Sequence, residues 1–146
     1  MKMKKALLAG VAALFLATGT AHAAETLTLA CEGTIGPIDH RESREPVSMS
    51  IIVNFASKTV HGFDVNSLWF GGSKGEPAKI IDATETVAYF EGKGKSFGYT
   101  TRIMGTIDRV TGDVEVSSTT WNGDQPVGGG EGTMYELKCK PAQRMF

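Results

Sequence analysis

Histidine and cysteine are scarce in this chain, and that scarcity limits the chemistry it can carry. The histidines are His22, His40 and His61, and the cysteines are Cys31 and Cys139. Neither His40 nor His61 stands at ligand spacing from a cysteine, which excludes a zinc centre of clustered Cys and His. Basic clusters are missing too, so nothing marks a nucleic-acid surface. Beyond Ala17 there is no second long apolar run, and a transmembrane helix needs roughly 20 such residues. Helical periodicity is also absent, which leaves strand alternation as the organising pattern.

Residues 1–23 carry the three parts of a secretory signal peptide. Lys2, Lys4 and Lys5 form a positive segment, Ala6 to Ala17 an apolar one, and Ala21-His22-Ala23 ends in the small residues a signal peptidase reads. Cleavage after Ala23 leaves residues 24–146, the length of one domain with a single core. The formal charge of −1 becomes −4 once the three leader lysines are gone. The predicted location is therefore periplasmic or secreted, with no membrane span after cleavage. Ala30-Cys31 resembles the end of a lipobox. However, Thr28 stands where Leu is usual, and lipidation would leave Cys139 without a partner. An oxidised Cys31–Cys139 pair is the expected state in an exported protein.

Period-two alternation recurs along residues 24–146. Leu27, Leu29 and Cys31 share one face of a first strand. Val47 to Phe55 alternates most cleanly, and Thr59 to Phe63 returns from a short turn. Lys79 to Ala83, Thr86 to Glu91, Phe97 to Asp108, Val114 to Trp121 and a last strand from Thr133 to Cys139 follow. The predicted core is Ile51, Val53, Phe55, Ile103, Ile107, Val114, Val116, Tyr135 and Leu137. Asn54 to Thr59 and Asp108 to Asp113 read as two hairpin turns of similar chemistry, with Gly112 supplying positive φ. Many short strands and 18 glycines point to an all-β fold. A small antiparallel barrel of about eight strands is favoured over a two-sheet sandwich. Terminal strands that each bear an inward cysteine are what closure produces.

Catalytic motifs fail on context. Gly71-Gly72-Ser73-Lys74-Gly75 has the spacing of a nucleophile elbow, but no histidine follows it. Gly94-Lys95-Ser96 resembles the end of a phosphate-binding loop, yet no helix pattern follows, so it reads as a hairpin turn. Gly128 to Gly132 reads as a flexible connection. Glu85 with Glu91, or Asp108 with Asp113, are the carboxylate pairs a glycosidase could use, though strand-flanking acids are usually solvated. Only His40 and His61 are ordinary candidates for a base.

The segment Ser67-Leu68-Trp69-Phe70-Gly71-Gly72 is the leading binding candidate. Exposed large aromatics are costly in water and common as binding anchors. Trp69 and Phe70 would then be the anchor, Trp121 a second candidate, and the charged loop from Asp39 to Glu45 the rim. The competing reading has both aromatics plugging the end of the core.

Ile52-Val53-Asn54-Phe55, Thr59-Val60-His61-Gly62-Phe63, Ile107 to Asp113 and the tail Leu137-Lys138-Cys139-Lys140-Pro141-Ala142-Gln143-Arg144-Met145-Phe146 resemble segments of small, uncharacterised exported bacterial proteins. That resemblance implies export and no particular activity. In size, leader and terminal disulfide the chain is also similar to periplasmic lysozyme inhibitors with small β-barrels, although their inhibitory loop motif is not found here. Together these features predict a non-enzymatic periplasmic binding or inhibitor-like module without cofactor or metal. Its expected partner is a protein or another envelope component. The alternatives are a small envelope hydrolase and a structural envelope protein.

Overall fold

The computed structural model describes residues 26–65, 76–96, 98–127 and 132–142. The alternating segments become nine strands: β1 (Thr26–Pro37), β2 (Glu45–Asn54), β3 (Thr59–Val65), β4 (Glu76–Ala83), β5 (Val87–Ser96), β6 (Tyr99–Asp108), β7 (Asp113–Asn122), β8 (Gln125–Pro126) and β9 (Thr133–Pro141). A 3-10 turn, Arg41–Ser43, lies between β1 and β2. Each strand from β1 to β7 pairs antiparallel with the next, β7 pairs with β9, and β9 pairs with β1. Eight strands thus close into an antiparallel barrel. The short β8 is the extra strand, returning along the end of β7 beyond the stretch that β9 covers.

Closure and the disulfide are one feature. Cys31 and Cys139 are direct partners across β1 and β9, with Cα atoms 4.0 Å apart. The Cys139 N–H donates to the Gly112 carbonyl on the opposite side, so the cysteines form a non-hydrogen-bonded pair. Such pairs bring facing side chains closest, where a cross-strand disulfide fits. Both cysteines are buried, as the inward-face reading requires.

The interior is packed with side chains. Ile51, Val53, Ile103, Ile107, Val114, Val116 and Leu137 are buried, as alternation predicts. Phe55 and Tyr135 are only partly buried, which corrects the predicted core. Phe55 belongs to the β2–β3 turn, where the Arg109 guanidinium lies 4.9 Å from its ring centroid. Tyr135 meets the Phe63 ring edge-on at 5.2 Å. Val60 and Phe63 both point inward although they are three residues apart. Gly62 at φ +115, within a register shift against β4, absorbs the extra residue as a bulge. An apolar interior with Glu32, Ser48, Ser50, Lys79 and Lys93 outside is the inverse of a membrane barrel, whose apolar band faces lipid.

The two hairpin turns share their chemistry. Asn54 Oδ1 accepts from the Ser57 N–H at 2.8 Å, and Asp108 Oδ1 accepts from the Val110 and Thr111 N–H groups at 2.8 Å. Each loop closes on a positive-φ residue, Lys58 at φ 54 and Gly112 at φ 77. Gly94-Lys95-Ser96 is not a turn. These residues belong to β5 and pair with Thr101, Thr100 and Tyr99, so the strand runs on through them.

Candidate functional site

Trp69, Phe70 and Ser73 lie outside the described residues, as do residues 128–131 of the glycine-rich connection. Trp121 is described. It stands near the end of β7 with 38% of its surface exposed, and its Nε1 donates to Thr119 Oγ1 at 3.3 Å. Buried neighbours of alternate parity on β7 place it on the outer wall rather than in the lumen.

The charged loop after β1 is tied down. Arg41 Nη2 donates to Glu136 Oε1 at 2.7 Å, joining loop to β9 across 95 residues of sequence. Arg44 is almost fully covered, with only 5% of its side chain exposed. Its Nε and Nη2 donate to the Pro37 and Ile38 carbonyls, each at 3.3 Å. Its Nη1 sits 2.8 Å from Glu136 Oε1, at an angle outside hydrogen-bond geometry, so the attraction there is ionic. Arg41 and Arg44 therefore hold the loop to the barrel. Asp39, His40, Glu42 and Ser43 remain exposed.

The candidate acid–base groups are spread over the outside. His40 Nδ1 lies 3.3 Å from Glu42 Oε1, both exposed, and His61 is on the outer wall of β3 opposite Ile52. Glu85 is in the β4–β5 turn, while Glu91 on β5 pairs with Arg102 at 3.2 Å. Asp108 and Asp113 flank one turn and serve it. Backbone N–H groups of Thr111 and Val110 hold the Asp108 carboxyl below its ordinary value. The Lys138 ammonium, then the Thr111 hydroxyl, do the same for Asp113. A glycosidase acid needs the opposite shift, upward, to carry its proton near neutral pH. Among the described residues, no three His, Cys, Asp or Glu side chains converge as metal ligands do.

Glu136 is also held down, first by the adjacent Arg44 guanidinium and then by the positive charge of Arg41. All three carboxyls bind protons more weakly folded than unfolded. Their stabilising contribution is present above the ordinary values of 4.5 for Glu136 and 3.8 for the aspartates, and is lost as pH falls through the folded values. The urea midpoint is therefore expected to fall on acidification below about pH 4.5, with a shallower fall in Glu136→Gln. Urea titrations across that range check this, and a flat or rising midpoint would contradict it.

Two outer surfaces remain. The wall formed by β2, β1, β9 and β7 is shallowly concave around the covered disulfide and carries mixed charge, including Glu32, Lys138, Lys140, Asp113 and Glu115. Lys138 Nζ and Asp113 Oδ1 pair there at 2.7 Å. The corner formed by β5, β6 and the β7–β8 hairpin is different in character. Lys93 faces Arg102, which faces Thr119; Lys95 faces Thr100, which faces Trp121 and then Pro126. Lys93, Lys95, Arg102, Tyr99, Trp121 and Val127 are all exposed. Reading Gly94-Lys95-Ser96 as a turn hid this corner. As a strand, Lys93 and Lys95 share one face, and that pattern was the available signal.

No protein-family model, curated protein or solved structure matches the chain.

Proposed function

We propose that the chain is an exported, non-enzymatic binding module that works from the outer surface of its barrel in the periplasm or extracellular space. The observation that carries this reading is the separation of chemistry from core. Among the described residues the core is built of apolar side chains, and polar and charged groups, the covered Arg44 of the loop included, stand on the walls and rims. Closure by the Cys31–Cys139 bond makes those walls rigid, which lowers the ordering cost of binding. The leader supports export, and an oxidising compartment suits the disulfide. The partner is a protein or another component of the cell envelope.

The test is association of the exported, oxidised protein with a cell-envelope fraction. Saturable, reversible retention that survives His40→Ala/His61→Ala supports binding without catalysis. Turnover of an envelope polymer that disappears in the same double variant would establish the hydrolase reading instead.

A further inference from the structure

The corner where β5, β6 and the β7–β8 hairpin meet carries the strongest unassigned signal. Lys93 and Arg102 are direct cross-strand partners, and Lys95 lies two residues along the same face from Lys93. Like charges directly opposed in a sheet are destabilising. Arg102 is partly compensated by Glu91 at 3.2 Å, while Lys93 and Lys95 have no ion-pair partner among the described residues. The one carboxylate in the adjoining β7–β8 turn is Asp124. The barrel thus keeps a cationic cluster that weakens its own sheet, in a chain whose charge after leader removal is negative.

On the same outer face as this cluster stands Trp121, 38% exposed, with Val127 just beyond its partner Pro126, 39% exposed. The shallow concavity around the disulfide lies on the other wall. Protein hot spots favour anchors that fill well-packed pockets. An amphipathic Trp beside Lys and Arg suits the headgroup layer of a bilayer, where the ring sits at the interface and the cations meet anionic lipid.

Resting on the binding-module reading, we infer that this corner docks the protein on an anionic membrane surface. Lys93, Lys95 and Arg102 supply the attraction to lipid phosphates, and Trp121 enters the headgroup region.

Co-sedimentation of the exported, oxidised protein with vesicles of phosphatidylglycerol and phosphatidylethanolamine tests this, with phosphatidylcholine vesicles as the neutral control. The wild type should prefer the anionic vesicles and lose that preference as salt rises. Lys93→Glu/Lys95→Glu should bind the anionic vesicles at least about tenfold more weakly. The same double variant should melt no lower than the wild type, because Lys93→Glu turns a repulsion with Arg102 into an attraction. A merely structural role for these lysines would move the melting temperature instead. In a Trp69→Phe background, Trp121 emission should shift to shorter wavelength on the anionic vesicles. Equal binding by wild type and double variant, or equal binding to both lipid compositions, would overturn the inference. Retention on an envelope fraction without any affinity for the vesicles would also overturn it, and would leave the broader binding reading standing with a protein as partner.

Discussion

Replacing Cys31 and Cys139 together by alanine is expected to lower the unfolding free energy by about 2–5 kcal/mol. The bond spans 108 residues of sequence, nearly the whole described chain, so it removes a long loop's freedom from the unfolded state. It also joins the two strands whose pairing turns an open sheet into a barrel. Without it, β1 and β9 are held by their ladder and by the core alone, and either could fray to expose a sheet edge. Urea unfolding of the double variant, and of the wild type under reductant, should give the same reduced midpoint. A loss below about 0.5 kcal/mol, the range of ordinary surface changes, would show that the ladder closes the barrel unaided.

The second large effect is expected inside the barrel, where Phe90 lies across Gly105. The two are direct partners on β5 and β6. A Cβ at Gly105 would stand 2.3 Å from Phe90 Cζ and under 3 Å from two further ring atoms. The ring has no room to retreat, being 1% exposed and stacked on Phe63 at 5.9 Å between centroids. Gly105→Ala should therefore cost about 1–3 kcal/mol through overpacking. Phe90→Ala should cost about 3–5 kcal/mol through lost burial and the cavity left behind. The two sites are coupled. Gly105→Ala/Phe90→Leu should lose less than the sum of its single variants, because the smaller side chain leaves space for the new methyl. Strict additivity in that cycle would mean that the ring moves freely and that the glycine is not there for it.

Much of this architecture was legible because a barrel wall with a filled interior repeats every two residues. The inward faces of Ile51 with Val53, Val114 with Val116, and Leu137 with Cys139 follow directly from that pattern. The pairing of the cysteines was legible because only one pairing exists. Three things were not. Phe63 left the alternation because a glycine bulge reset the register, and a bulge has no signature separable from an ordinary glycine. Gly92-Lys93-Gly94-Lys95-Ser96 has the composition of a loop, since Gly and Lys are poor strand formers, yet it is held as strand by its continuous ladder with β6. The clamp of Arg41 and Arg44 on Glu136 joins residues far apart in sequence, and local pattern carries no trace of it. The candidate site fared worse than the fold for the same reason. Trp121 was named for its chemistry, but the cations beside it come from two other strands and meet only through register.

Hydroxyl-radical footprinting of the oxidised protein, with and without a cell-envelope fraction, would show which face a partner covers. Trp side chains react readily, and Trp121 is exposed in the free protein. Trp121 should be shielded in the bound state, while Val110 and Ile52 on other faces keep their labelling. Unchanged labelling of Trp121 in a demonstrably bound sample would contradict docking by this corner.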